Sequence, residues 1–125
     1  EKCHGPVFGL PKFQQLALSK VSFNKHTFAA SGTVDNIRLF EGTGVGTCLL
    51  TDAGSNLSQL FEVGQEVVDY SSVDECKEKL RYLLLNDEVR KEIAIRGQKR
   101  TLRDHTALQR AEKLDMLVQQ KMRVK

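Results

Sequence analysis

The sequence has few cysteines, and this shortage excludes two kinds of structural support. Cys3, Cys48 and Cys76 are its three cysteines. They are odd in number, lie far apart and include no Cys-x-x-Cys pair, which argues against a disulfide framework and against a zinc site. We therefore interpret them as small buried hydrophobes or incidental surface thiols.

Long apolar runs are also missing. No segment approaches the roughly 18 apolar residues that a membrane span needs, and no charged-then-apolar signal segment opens the chain. We therefore predict a protein without a membrane span that is located in the cytoplasm. The sequence begins at Glu1 without an initiator Met, so we expect it to be a piece of a longer protein.

The composition fits one globular domain. The chain has 125 residues, of which 40% are hydrophobic and 28% charged. A chain of this length buries roughly two thirds of the surface that it exposes when unfolded, so it can form a hydrophobic core without the help of a metal or disulfides.

The net charge of +3 is unevenly distributed along the chain. Residues 76–125 contain fourteen Lys or Arg and seven Asp or Glu, whereas residues 1–75 contain five and nine. A basic helical half is one way to bind nucleic acid. Because no aromatic residues are interleaved with these charges, we interpret them as a solvated helix face and disfavour nucleic acid as a partner.

Hydrophobic periodicity and capping residues predict the order helix, strand, helix, strand, strand and then three helices. The first predicted elements are a short helix within 8–19, a strand ending near Asn24, and a helix through Ile37 and Phe40 that is capped by Asp35 or Thr33 and ended by the glycines. A strand at 47–51, one helical turn at 57–61 and a strand at 66–70 follow. The last third contains a helix capped by Ser71 or Ser72, a helix from Asp87 to about Arg103, a break near His105 and Thr106, and a last helix that continues into the basic tail.

Strands that alternate with helices imply parallel pairing and right-handed crossovers. The sequence therefore predicts an α/β fold, a partial Rossmann-like parallel sheet of about three strands flanked by helices, with a helical C-terminal third. We divide the single domain 1–125 into an α/β core at 5–70, which contains the donor-site helix described below, and closing helices at 71–125. Three strands make a thin sheet, so we expect a missing N-terminal domain or a partner chain to complete it.

The glycines Gly42, Gly44 and Gly46 invite comparison with a dinucleotide-binding fingerprint. That fingerprint needs a strand before the glycines and a helix after them. Here the predicted order is reversed, so we disfavour a dinucleotide-binding fold.

The start of the helix offers a different site. Free backbone N–H groups near Asp35 to Arg38 carry a partial positive charge that attracts phosphate. Arg38 would add a forked pair of donors, and Glu41, one turn later, would accept hydrogen bonds from paired sugar hydroxyls. The alternative is an ordinary solvated helix, since a helix that carries one Arg and one Glu is more often solvated than ligand-binding.

The histidines predict no catalytic centre. His4, His26 and His105 are scattered, and neither a nucleophile elbow nor a metal-ligand spacing occurs. We therefore predict no catalytic residue and no metal. His26 ends a predicted strand, where α/β folds bind ligands, and is followed by a loop with Thr33. A structural role for His26 remains open, and His105 is expected to close the junction between two helices.

Several spaced motifs resemble a known family. They are Asn36-Ile-Arg-Leu-Phe-Glu41 with Gly44-x-Gly46, then Leu49-Leu50-Thr51-Asp52, Leu60-Phe61-Glu62-x-Gly64-x-Glu66-Val67-x-x-Tyr70, Ile93-Ala94-x-x-Gly97-x-x-Arg100 and His105-Thr106-x-x-x-Arg110. Over about residues 5–114 the chain resembles the C-terminal segment of bacterial and archaeal glycosyltransferases of the GT-B type, particularly the spore maturation protein B-like group.

This resemblance implies two Rossmann-like domains facing across a cleft, of which the C-terminal one binds a nucleotide-sugar donor. Glu41 matches a Glu that holds the donor's ribose, and the amides at the start of its helix face the diphosphate. Thr33 stands where the wider retaining superfamily often has a second Glu near the sugar. The predicted donor-binding residues are Thr33, Asp35, Asn36, Ile37, Arg38, Glu41 and His26.

The family places a basic pair that grips the diphosphate on an earlier strand, and the acceptor site and any catalytic base in the N-terminal domain. The resemblance therefore implies a donor-binding half-domain that is not catalytically competent by itself. It implies a nucleotide-diphosphate-sugar as substrate and no cofactor. The alternative is a non-catalytic nucleotide-binding, phosphate-binding or protein-interaction module with the same fold.

Overall fold

A computed structural model of the chain describes residues 5–26, 32–34 and 36–123. In these ranges helices flank three strands. The elements are α1 (Leu10–Leu18), β1 (Val21–Asn24), α2 (Arg38–Gly44), β2 (Cys48–Asp52), α3 (Leu57–Leu60), β3 (Val68–Tyr70), α4 (Val73–Leu85), α5 (Asp87–Asp104) and α6 (Ala107–Arg123).

The three strands form one parallel sheet in the order β1-β2-β3. Val21 pairs with Cys48, and Leu50 pairs with Val68. The central strand β2 is the most apolar because helices cover both of its faces, as in other parallel sheets. The predicted α/β fold with a partial Rossmann-like parallel sheet and a helical C-terminal third is confirmed.

Alternation along β2 divides the core into two layers, since successive strand residues point to opposite faces. Leu49 packs with α2, α3 and the segment between α3 and β3, whereas Cys48 packs with α4 and α5. The first cluster consists of Val34, Leu39, Leu49, Leu57, Phe61 and Val67, and the second of Cys48, Leu83, Ile93 and Ala94.

Local sequence explains where α4 begins. Ser72 occupies its N-cap, and the Ser72 hydroxyl accepts a hydrogen bond from the Glu75 backbone N–H at 3.2 Å. The Glu75 carboxylate in turn accepts from the Ser71 N–H at 2.7 Å. These reciprocal bonds resemble a capping box, and they confirm the predicted cap by Ser72.

The start of α2 differs from the prediction. Ile37 occupies its N-cap, and an Ile side chain cannot accept a hydrogen bond from the helix. The predicted cap by Thr33 is therefore wrong, and Asp35 lies outside the described residues. The helix ends at Gly44, and the following turn needs Gly46, whose φ of 82° lies in the left-handed region.

Helix α5 closes the fold through one glycine and two polar contacts. A Cβ atom on Gly97 would lie 2.3 Å from the carbonyl oxygen of Glu66, so this close approach requires glycine. The Leu60 carbonyl, at the end of α3, lies 3.1 Å from Nε of Arg100 and 2.9 Å from Nε2 of His105. His105 is the C-cap of α5, so it lies at the predicted helix junction.

Helix α6 has no buried residue. Its apolar side chains Leu108, Leu114, Leu117 and Met122 are exposed. Within the described ranges, no helix combines the length and the apolar composition that crossing a membrane requires.

Candidate functional site

The carboxyl ends of the three strands form a polar edge. Parallel strands end on the same side of their sheet, and in α/β folds ligands bind at that side. Asn24, Asp52 and Tyr70 are the last residues of β1, β2 and β3. The Tyr70 hydroxyl donates a hydrogen bond to the Asn24 carbonyl at 3.0 Å, which ties the outer strands together at this edge.

His26 and Asp52 form a hydrogen-bonded pair at this edge. Nδ1 of His26 lies 2.7 Å from Oδ1 of Asp52, and the His26 backbone N–H lies 3.0 Å from both carboxylate oxygens. The exposed fractions of the two side chains are 5% for His26 and 24% for Asp52. The Asp52 carboxylate therefore contacts both the ring and the backbone N–H of His26, and these contacts hold the imidazole in place.

The pair also determines the charge of the carboxyl group. Burial acts to raise the pKa of Asp52, but the hydrogen bonds from the His26 ring and backbone outweigh it, and the pKa is lowered from its ordinary value. Asp52 is therefore a carboxylate at neutral pH, and a carboxylate only accepts hydrogen bonds. It follows that Nδ1 of His26 carries the proton that the two groups share.

A chain of hydrogen bonds extends from Asp52 to Asn36. The Thr51 hydroxyl donates to Asp52 at 3.3 Å and accepts from Nδ2 of Asn24 at 3.1 Å. Oδ1 of Asn24 accepts from Nδ2 of Asn36 at 3.1 Å. Because Asp52 can only accept, every link donates toward it, which fixes the orientation of both amide groups. We call these residues, from Asn36 through Asn24, Thr51 and Asp52 to His26, the edge network.

Both ends of the edge network lack a partner within the part of the chain that the structure describes. Nε2 of His26 and Oδ1 of Asn36 are buried and form no hydrogen bond there. Buried polar atoms in native proteins are nearly always hydrogen-bonded, so two such atoms at a ligand-binding edge point to a site.

A second feature is a cavity beside α2. It has a volume of about 440 Å³ and is mainly apolar, with Glu41 and Arg110 as its charged members. The Arg110 guanidinium lies 4.3 Å from the centre of the Phe40 ring. The walls are formed by Phe13, Ile37, Phe40, Glu41, Gly44, Val45, His105, Ala107 and Arg110.

Glu41 is ion-paired at the wall of this cavity. Nζ of Lys12, from α1, lies 2.6 Å from Oε1 of Glu41, whose side chain is 15% exposed. The cavity therefore presents a carboxylate that can accept hydrogen bonds.

The predicted donor-binding residues fall into separate places. His26 and Asn36 belong to the edge network, and Ile37 and Glu41 line the cavity beside α2. Arg38 and Thr33 are exposed, and Asp35 lies outside the described residues. Asn36 and Ile37 are neighbours in sequence, so the two places adjoin.

Sequence reasoning missed Asn24, Thr51 and Asp52 as site residues. A usable signal was present, because Asn24 ends one predicted strand and Asp52 directly follows the next, which places both at the same edge of a parallel sheet. Lys12 had no such signal, since 29 residues separate it from Glu41. As for metals, no three His, Cys, Asp or Glu side chains of the described residues are grouped closely enough to hold an ion.

The comparison with protein families decides the general class. A family model described as glycosyl transferase-like matches residues 2–115. The chain belongs to the glycosyl transferase-like family. Comparisons with curated proteins and with solved structures found no match. The family supports a general role in glycosyl transfer, to which the parallel α/β fold is suited.

In this glycosyl transferase-like chain, some of the motifs that resemble the family lie at the candidate site, and the others lie where the closing helices pack. Asn36, Thr51, Asp52 and Tyr70 lie at the carboxyl edge of the sheet, and Glu41 lies in the adjoining cavity. The later motifs, with Gly97, Arg100 and His105, hold the closing helices against α3 and the segment before β3.

Proposed function

We propose that the chain is the donor-binding half of a GT-B glycosyltransferase of the spore maturation protein B-like group, and that it binds a nucleotide-sugar at the carboxyl edge of its sheet. One observation carries this proposal. The short segment from Asn36 to Glu41 contributes to both the edge network and the cavity beside α2. One extended ligand, with a polar and an apolar part, matches two adjoining places of this kind.

In this proposal, each part of the donor has its own protein groups. Glu41 accepts hydrogen bonds from the ribose hydroxyls, and the apolar wall, including Ile37, contacts the nucleoside. Arg38, exposed in the first turn of α2, adds positive charge near the diphosphate. Thr33 and Asp35, predicted from the sequence, remain part of the proposed donor site, and His26 and Asn36 meet the donor at the edge network.

The proposal includes a further structural unit and no metal. β1 and β3 are the edge strands of the described sheet, so an N-terminal domain or a partner chain would add strands or face the site across a cleft. That unit would supply the acceptor site and any catalytic base. The isolated chain would then bind the donor in the cytoplasm without transferring its sugar.

A calorimetric titration tests this function. The probes are UDP-glucose, GDP-mannose, ADP-glucose and dTDP-glucose, each titrated into the isolated chain and into the longer protein. We expect the chain to bind at least one of them without releasing its sugar. Turnover by the isolated chain would contradict the half-domain proposal. Absence of binding to all four probes would contradict a donor site.

A non-catalytic interaction module is the second candidate, and helix α6 favours it. No residue of α6 is buried, and its apolar side chains Leu108, Leu114, Leu117 and Met122 are exposed. The coding sequence upstream of Glu1 discriminates the two candidates. A Rossmann-like half with a basic residue after a strand supports the enzyme, whereas a start codon near Glu1 supports the module.

A further inference from the structure

We infer that the edge network is a subsite for sugar hydroxyl groups, with Nε2 of His26 and Oδ1 of Asn36 accepting hydrogen bonds from them. The inference rests on the proposed donor-binding function and says which chemical part of the donor meets these two atoms. It adds Asn24, Thr51 and Asp52 as positioning residues that hold the two acceptors in their orientation.

The direction of the hydrogen bonds carries the argument. Asp52 is a carboxylate, so the Thr51 hydroxyl donates to it and accepts from Asn24, and Asn24 accepts from Asn36. The amide nitrogen of Asn36 is thereby used within the network. Its carbonyl oxygen Oδ1 remains, and a carbonyl oxygen only accepts hydrogen bonds.

The same reasoning applies to the imidazole. Nδ1 of His26 donates its proton to Asp52 across 2.7 Å. In the neutral ring the other nitrogen, Nε2, then has a lone pair and accepts a hydrogen bond. With the imidazole neutral, the two atoms of the edge network that lack a partner among the described residues are both acceptors, and the group that satisfies them has to be a donor.

Hydroxyl groups meet this requirement, whereas phosphate oxygens do not. An ionised phosphate has only acceptor oxygens, so it would leave Oδ1 of Asn36 unpaired. It would also come close to the carboxylate of Asp52, and like charges at short range in a partly buried site repel each other. Sugar hydroxyls donate and are uncharged, so they fit both the polarity and the charge of the network.

Burial gives the subsite selectivity. Asn24 and Thr51 are 2% and 0% exposed, so packing holds the middle of the network in place. A buried acceptor that finds no donor costs free energy, and a site built to bind a hydroxyl therefore rejects an analogue that lacks it. The hydroxyls come either from the transferred sugar or from the ribose, and the experiment separates these sources.

Paired substitutions of His26 provide the test. In His26→Asn the amide nitrogen replaces Nδ1 as the donor to Asp52, and the acceptor at Nε2 is lost. In His26→Gln a polar group reaches the position of Nε2. Thr47→Val is the control, since Thr47 lies just before β2, at the end of that strand opposite the edge network, and the change removes a partly buried hydrogen bond to the Leu16 carbonyl. Thermal unfolding confirms that each variant is folded.

Each variant is titrated with UDP-glucose, GDP-mannose, ADP-glucose and dTDP-glucose, with their parent diphosphates and with the corresponding 2′,3′-dideoxy diphosphates. We expect His26→Asn to weaken binding of the hexose conjugate by about tenfold or more, and His26→Gln and Thr47→Val to do so much less. Asn36→Ala, at the other end of the network, should give the same pattern and replaces His26→Asn if that variant unfolds.

Comparison of the three kinds of probe shows whether the bound hydroxyl groups belong to the transferred sugar or to the ribose. Weakening confined to the hexose conjugate supports the transferred sugar as their source. If binding of the nucleoside diphosphate hexose and of its parent diphosphate is weakened equally, but binding of the 2′,3′-dideoxy diphosphate is not weakened, the ribose is the source of the hydroxyls. Equal weakening of all three probes, or of none, overturns the inference and leaves the donor site standing. If the unmodified chain binds none of the probes, it is the proposed function that fails.

Discussion

Nζ of Lys12 lies 2.6 Å from Oε1 of Glu41, which joins α1 to the first turn of α2. The pair connects the carboxylate expected to hold the ribose with a residue far away in sequence. Partly exposed ion pairs contribute about 1 kcal/mol or less to stability. The pair therefore adds little to stability, and its structural effect is to hold the Glu41 side chain at the cavity wall.

Replacing Glu41 should affect binding more than folding. We expect Glu41→Ala to weaken nucleotide binding by about 1 to 3 kcal/mol, because a hydrogen bond in a partly enclosed site is lost. The free energy of unfolding should hardly change. Lys12→Met is the matched control, since it breaks the same ion pair and keeps the carboxylate. A Glu41→Ala variant that is destabilised while its remaining nucleotide affinity is unaltered would make Glu41 a structural residue and contradict its place in the donor site.

Because of Asp52, the free energy of unfolding should change with pH in the acid range. Its pKa in the folded chain is lowered below the ordinary value of 3.8, so the carboxylate stabilises the fold above that value, and this contribution is lost as pH falls through the folded pKa. Asp52→Asn should therefore be less stable than the unmodified chain at pH 7, with a difference that shrinks in acid.

Urea unfolding between neutral pH and strongly acid pH measures this difference. Asp74→Asn is the control, because the Asp74 side chain is 94% exposed and lies outside the edge network. A difference between Asp52→Asn and the unmodified chain that stays constant with pH would show that the His26–Asp52 pair does not stabilise the carboxylate.

Gly97 should tolerate no side chain. The Cβ of Gly97→Ala would lie 2.3 Å from the Glu66 carbonyl oxygen, so α5 or the backbone before β3 has to shift. Overpacking costs about 1 to 3 kcal/mol. In Gly44→Ala the nearest atom is Cγ2 of Thr101 at 3.6 Å, so this control should be neutral or slightly stabilising. Equal stabilities of the two variants in urea would contradict the close contact.

Cys48 should be chemically inert in the folded chain. Its side chain is 1% exposed, and burial raises the pKa of the thiol to about 11, partly offset by nearby Arg90. Thiolates are the reactive form, so we expect iodoacetamide at pH 8 to modify Cys48 only when urea unfolds the chain. Peptide mass spectrometry measures the modification, with the half-buried Cys76 as internal control. Modification of Cys48 as fast as that of Cys76 would contradict the packing of β2.

The sequence was sufficient for elements whose signals are local. The apolar run Cys48 to Leu50 predicted the central strand, and the cap by Ser71 or Ser72 predicted the start of α4, because propensity and capping act over a few residues. The alternation of strands and helices predicted the parallel sheet. These features are confirmed.

Local sequence patterns did not predict the contacts between segments that are distant in sequence. His26 with Asp52, and Lys12 with Glu41, are brought together by strand pairing and helix packing, which periodicity does not specify. The start of α2 was mispredicted for a related reason. Asn36 has a capping-type side chain, but it donates to Asn24 across the sheet edge, and Ile37 takes the N-cap.

Binding at the carboxyl edge of the sheet is the central claim, and amide chemical shifts of the isotope-labelled chain test it most directly. During titration with the nucleoside diphosphate hexose that binds, we predict shifts at Asn24, His26, Asn36, Glu41 and Asp52. The rival site is a cavity of about 190 Å³ near the start of β2, whose lining includes Lys20, Arg90 and Lys91. Shifts confined to that cavity, with the carboxyl edge unchanged, would contradict the claim.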